Sequence, residues 1–169
     1  QTGVTIIQHG ERVAANGDVR LEVSPGQWSP IPKAGRHSVD PLTRTITQEL
    51  WFPDSSRNRR GFNPIEYPDL KLRYKVNVTP LSGSSVKITV DLDEPLPAEW
   101  EGKVGFNFEL FPTHLFGKTY WMDRQTGIFP QQANGPLIRQ PEGDLAQALA
   151  KGKKLIVTPE EPLQKITIE

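Results

Sequence analysis

Leu70-Lys71-Leu72-Arg73-Tyr74-Lys75-Val76-Asn77-Val78-Thr79, followed by Pro80-Leu81-Ser82-Gly83-Ser84 and then Val86-Lys87-Ile88-Thr89-Val90-Asp91-Leu92-Asp93, decides the fold class. In the first run every even position is apolar or aromatic and every odd one is polar. That period of two marks a strand with one face buried and one in water. The second run alternates in the same way, and the proline, glycine and serines between the two runs are turn chemistry. An antiparallel hairpin is therefore expected.

The same period recurs elsewhere. Val104, Phe106, Phe108 and Leu110 make a third face, and Val19, Leu21 and Val23 a shorter one bounded by Asn16-Gly17 and Pro25-Gly26. Leu155 to Thr158 and Leu163 to Ile168 read as two further strands, separated by Pro159-Glu160-Glu161-Pro162. Helix signals are confined to one place, where Asp144 is positioned to cap a short helix carrying Leu145 and Leu149, with Gly152 beyond its end. Short alternating strands between turns predict an all-β fold: an antiparallel β-sandwich with long loops and at most one short helix. The loops are expected at Gln27 to Asp40, Pro53 to Asp69 and Pro112 to Pro141.

Length and composition narrow the function. The 169 residues fit a single domain spanning 1–169, and no internal repeat or linker interrupts them. Twenty Lys and Arg cancel twenty Asp and Glu, so no net field draws the chain to nucleic acid. There is no apolar run long enough for a membrane span. With no cysteine, disulfides, iron–sulfur clusters and thiolate zinc sites are excluded. The chain starts Gln1-Thr2-Gly3 and stops within an alternating pattern, which reads as a module from a longer exported polypeptide.

Catalytic constellations are not visible. His9, His37 and His114 lack any metal-binding spacing, and neither a nucleophile elbow nor a nucleotide-binding glycine loop is present. Glu109 lies off the Phe106/Phe108 stripe, and Asp91, Asp93, Glu94, Glu99 and Glu101 form an acidic run. That run reads as a solvated strand end, with calcium, a hard cation suited by acidic oxygens, as the alternative. No cofactor is otherwise called for.

Aromatic residues carry the binding argument. Between Leu42 and Phe52, the residues Ile46, Leu50 and Phe52 mark the core side, which leaves Trp51 opposite with Thr43, Thr45, Thr47 and Glu49. A flat ring on a polar sheet face is a platform for the C–H face of a sugar, although a neighbouring segment covering it is an equal reading. Trp28, Tyr67, Tyr120 and Trp121 fall in the three long loops. Arg59, within the arginine-rich stretch Ser56 to Asn63, and Asn134 supply hydrogen-bonding partners in the same scheme.

The stretch Gly105-Phe106-Asn107-Phe108-Glu109-Leu110-Phe111-Pro112-Thr113-His114-Leu115-Phe116-Gly117-Lys118-Thr119-Tyr120-Trp121-Met122-Asp123, with Gly127-Ile128-Phe129-Pro130-Gln131-Gln132-Ala133-Asn134-Gly135-Pro136, resembles the N-terminal accessory module of Bacteroidota cellulases of glycoside hydrolase family 9. Lys153 to Pro159 and Leu163 to Glu169 resemble it too. The resemblance implies a non-catalytic, sugar-associated β-sandwich that is secreted, periplasmic or at the cell surface. Its partners would be plant cell-wall polysaccharide and the adjoining domains of the same polypeptide. The acid and base of family 9 enzymes lie in another domain, so no catalytic residue carries over. Three readings result: a module binding β-glucan or hemicellulose through exposed aromatics, a domain that packs on and stabilises its neighbours, and, apart from the resemblance, a small sandwich hydrolase or lyase using Glu109, His114 or Tyr120.

Overall fold

A computed structural model describes residues 3–21, 31–52, 70–130, 137–140, 143–146 and 150–169. Among them are thirteen strands: β1 (Val4–Gln8), β2 (Glu11–Leu21), β3 (Lys33–Val39), β4 (Ile46–Phe52), β5 (Leu72–Pro80), β6 (Val86–Leu92), β7 (Val104–Leu110), β8 (Thr119–Met122), β9 (Gln125–Ile128), β10 (Leu137–Gln140), β11 (Gly143–Ala146), β12 (Leu155–Val157) and β13 (Ile166–Ile168). One 3-10 turn, Ala98–Trp100, and one four-residue helix, α1 (Pro112–Leu115), are the helical elements among the described residues. The chain is all-β. No described helix is long and apolar enough to cross a membrane.

The strands form sheets in the orders β1-β2-β7, β3-β4-β5-β6, β13-β12-β8-β9 and the pair β10-β11. The chain divides into two compact units, one of Gly3–Gly17 with Phe108–Glu169 and one of Asp18–Asn107. The boundaries fall within β2 and within β7.

In the unit Asp18–Asn107 the expected hairpin is present, with β5 pairing β6 in a register that sets Tyr74 against Leu92 and Pro80 against Val86. Gly83 takes a left-handed φ of 70° in the connection, which a residue without Cβ adopts without strain. Leu50 and Phe52 of β4 and Leu72, Tyr74 and Val76 of β5 are buried on one face, together with Val19 and Leu21 of β2 and with Trp100. From that face the Tyr74 hydroxyl donates to Asp18 Oδ1 over 2.9 Å, and the same oxygen accepts from the Val19 amide.

Burial pushes the Asp18 carboxyl above its ordinary range, against the pull of the hydrogen bonds from Tyr74 and Val19. The same burial, with the Asp18 charge beside it, raises the Tyr74 hydroxyl. The folded chain therefore still holds a proton on Asp18 at a pH where the unfolded chain has released it. Stability is full below the ordinary aspartate value of 3.8 and falls as pH rises through the folded value. Asp18→Asn keeps an acceptor for Tyr74 and has no charge to desolvate. It should raise the melting temperature at pH 7 by about 2–4 °C, the shift that 1 kcal/mol gives in a chain of this size, and the gain should vanish below pH 4. Tyr74→Phe should cost about 1–3 kcal/mol at pH 7, because the buried carboxylate loses a donor.

In the other unit the sheet β13-β12-β8-β9 is antiparallel throughout. Tyr120 and Val157 are buried on its inner face, and Thr158, at φ 49°, is buried at the end of β12. Left-handed backbone is unusual for a β-branched residue. Three hydrogen bonds hold it: the Thr158 amide donates to Thr119 O, its hydroxyl donates to Gln164 O, and its carbonyl accepts from Glu161. Gln8 and His9, at the β1–β2 connection, both meet the Leu163 carbonyl, at 3.0 and 2.9 Å.

Several expectations are corrected. Gly143–Ala146 is strand β11, paired with β10, so Asp144 stands opposite Arg139 in a hairpin and does not cap a helix. Asn16-Gly17 does not end a strand, because β2 runs through it. Asn16, at φ 54°, is held by a 2.6 Å hydrogen bond from its amide to Glu109, and a Cβ on Gly17 would lie 2.6 Å from the Phe108 ring. β3, β8, β9 and β10 lie within stretches read as loops.

Candidate functional site

Alternation along β8 settles two of the expected aromatics in opposite senses. Tyr120 is 8% exposed, packs against Phe129 with ring centroids 4.9 Å apart, and covers Gly127, where a Cβ would lie 2.6 Å from its hydroxyl. It is a core residue, and its place among the ligand contacts is corrected accordingly. Trp121, its neighbour, points the other way and is 50% exposed.

The register shows what surrounds Trp121. Thr126 of β9 lies opposite it on one side and Ile156 of β12 on the other, and Thr167 of β13 is opposite Ile156. All four share the outer face, because directly paired residues point to the same side of a sheet. Strands are spaced about 4.8 Å apart, so this row spans roughly 14 Å. Two residues along the strands, and so on the same face, Thr119 is opposite Ile128, which is 64% exposed. The rim is polar: Lys154 pairs with Glu169, Lys118 with Glu161, and Thr119 donates to Glu160 through its amide and its hydroxyl. Those two donors hold the Glu160 carboxyl below its usual range. The result is an indole on an inner strand of the sheet, flanked by threonine hydroxyls and two isoleucines, inside a fringe of paired charges.

Trp51 occupies the polar face of β3-β4-β5-β6, as its position in the pattern predicts, and is half-buried. It is opposite Lys33 and Arg73, whose cationic groups lie 5.4 and 6.0 Å from its ring centroid. Its ring leans on β3, so that a Cβ on Gly35 would sit 2.5 Å from Trp51 Cζ3. Beside it runs a ladder in which Thr47 donates to Asn77 and Asn77 to Asp91, each over 2.7 Å. This ring is thus already contacted by its own sheet. Gly35→Ala should displace it, shift its fluorescence and cost about 1 kcal/mol through the two cation–π contacts.

Trp28, Tyr67, Arg59 and Asn134 lie outside the described residues. The three histidines are in separate places: His9 on Leu163 O, His37 on Gln48 Oε1 at 3.3 Å, and His114 3.7 Å from Glu11. Among the described residues no three His, Asp or Glu side chains gather where they could hold a metal ion. In the acidic run Asp91 accepts from Asn77, and Glu109 accepts from Asn16.

Comparison with protein-family models, curated proteins and solved structures finds no match. The sheet face around Trp121 is therefore judged on its chemistry. Sequence reading missed Ile128, Ile156, Thr126 and Thr167 as its neighbours. The alternation of Leu155 to Thr158 signalled a strand, but its partner strand could not be read.

Proposed function

We propose that the chain is a non-catalytic, carbohydrate-binding accessory module of a plant-polysaccharide-degrading glycoside hydrolase, holding β-glucan or hemicellulose on Trp121. The observation that carries this reading is a half-exposed indole on an inner strand of an antiparallel face with hydroxyl neighbours. An indole face suits the axial C–H groups of a sugar ring, and the hydroxyls of Thr126 and Thr167 on the same face support hydrogen bonds to it. Paired rim charges favour a neutral chain over a charged one. The resemblance of Gly105 to Pro136 to the accessory module of family 9 cellulases supports the same assignment, with export from the cell and adjoining catalytic domains as its setting. A platform with a few hydrogen bonds gives modest affinity: a Kd near 0.1 mM is about −5.5 kcal/mol.

A second reading is favoured by one observation. Ile128 and Ile156 share the outer face with Trp121, which also suits packing on an adjoining domain of the same polypeptide. Affinity gel electrophoresis against β-glucan, xyloglucan, xylan, mannan, carboxymethylcellulose and pectin separates the two. Retardation by one or two neutral glycans supports binding. A folded chain that migrates freely in every gel is a structural domain.

A further inference from the structure

Strand β6 ends the sheet β3-β4-β5-β6, and among the described residues no strand adjoins it on the side away from β5. It pairs with β5 along its whole length without a register shift, and it contains no proline. The opposite edge differs: β3 has a register shift between Ala34 and His37, an irregularity of the kind that keeps an edge from accepting another strand. Hydrogen bonds at the two ends of the hairpin fix which way the β6 backbone turns. Leu81 donates its amide to Ser85 O and Asp93 donates to Arg73 O, and bonded and unbonded pairs alternate along an antiparallel ladder. Lys87, Thr89 and Asp91 therefore exchange bonds with β5. Val86, Ile88, Val90 and Leu92 aim their amides and carbonyls outward.

This edge is complementary to itself when the strand is reversed about Thr89. Reversal sets Lys87 opposite Asp91 on the polar face, and Ile88 opposite Val90 and Val86 opposite Leu92 on the apolar one. The apolar pairs are those whose backbone groups aim outward, so each can exchange two ladder hydrogen bonds. Lys87 and Asp91 are exposed, as are Val86 and Leu92 at 49% and 39%. Asp91 accepts from Asn77 through Oδ2, and a carboxylate has acceptor capacity beyond one such bond. We propose that β6 pairs antiparallel with β6 of a second copy of this chain about a two-fold axis at Thr89, joining two four-stranded sheets edge to edge. The apolar row Ile46–Val78–Ile88, in which Ile46 is 43% exposed, then runs on across the seam to Val90 of the second copy. Neighbouring registers lose the match. An axis at Ile88 sets Lys87 against Thr89, and one at Val90 sets Val86 against Glu94 and Asp91 against Thr89. The interface lies on a different sheet from Trp121 and does not depend on glycan binding there.

A single pair of edges is a small contact, so the dimer is a weak one, with a Kd on the order of 0.1 mM. The test is sedimentation velocity of the full chain at concentrations on either side of that value, where a concentration-dependent dimer is expected. Lys87→Asp and Asp91→Lys each set like charges opposite one another at both ends of the seam, and each should weaken dimerisation tenfold or more. An equimolar mixture of the two variants sets aspartates of one chain against lysines of the other and should dimerise about as tightly as the parent. Neither misfolding nor unspecific association gives that rescue. In the ¹⁵N-labelled parent, exchange of the Ile88 and Val90 amides should slow as the protein is concentrated, while the Lys87, Thr89 and Asp91 amides, already bonded to β5, keep their protection. Trp121→Ala should dimerise like the parent. The proposal is overturned by a parent chain that stays monomeric throughout, by single variants that dimerise undiminished, by a mixture that fails to recover, or by loss of the dimer in Trp121→Ala.

Discussion

Trp121→Ala should abolish retardation of the chain in a neutral glucan gel while leaving its melting temperature almost unchanged. The indole is half exposed and its neighbours across the sheet, Thr126 and Ile156, belong to well-paired strands, so removing the ring deletes contact area without opening the core. Substitutions at such surface positions usually stay within about 0.5 kcal/mol of the parent stability. Loss of a central aromatic anchor, in contrast, costs a binding site about 2 kcal/mol or more, which is some thirtyfold in Kd. From a starting Kd near 0.1 mM this leaves millimolar affinity, beyond the reach of an affinity gel. Thr126→Ala and Thr167→Ala should each lose less, about 1 kcal/mol, as single neutral hydrogen bonds do. Undiminished retardation in folded Trp121→Ala would sink the mechanism.

The adjacent residue should behave in the opposite way. Tyr120→Ala removes a ring that is 8% exposed, packed on Phe129 and laid over Gly127, and the cavity left behind has no nearby side chain to fill it at the glycine. Truncation of a large buried aromatic costs about 3–5 kcal/mol. Thermal melting should fall by about 6–20 °C, and any loss of glycan binding should track the unfolded fraction. Tyr120→Phe keeps the ring and should stay within about 1 kcal/mol. A Tyr120→Ala chain as stable as the parent would mean that the inner face of β13-β12-β8-β9 is not packed as described.

Which parts of this were legible follows from how local the determining forces are. The β5–β6 hairpin was readable because both strands and the turn lie in one unbroken stretch with strict alternation. β3 was not: Lys33–Val39 has no alternating pattern, its burial is irregular, and its register shifts between Ala34 and His37. What fixes it is pairing with β4 and the Trp51 ring lying on Gly35. β8 and β9 are four residues each, too short to establish a period, and are joined by Asp123 at φ 50° with its carboxylate accepting from the Lys153 and Lys154 amides. Those partners are thirty residues away in sequence. Asn16-Gly17 carries a genuine turn signal that distant contacts from Glu109 and Phe108 override.

The site divides along the same line. Trp51 was placed on its polar face correctly, since Leu50 and Phe52 flank it with unmistakable core character. That Lys33 and Arg73 would cover its ring depended on strand neighbours. Tyr120-Trp121 was read as part of a loop, where no alternation separates the two rings, and it is strand β8 that buries the first and exposes the second.

The unit Asp18–Asn107 is a continuous stretch of chain, whereas its companion is assembled from the pieces before and after it. During synthesis β1 and the first part of β2 therefore leave the ribosome well before the strands they belong with. Their partners from Phe108 onward follow some 5–20 s later at ordinary elongation rates. In the interval the inserted segment can complete its own core, which shortens the effective loop that the outer pieces must close. The residues made just before the insertion are thus locked in place only after it, and a pause or cleavage within the insertion would strand the β1–β2 hairpin without a sheet to join.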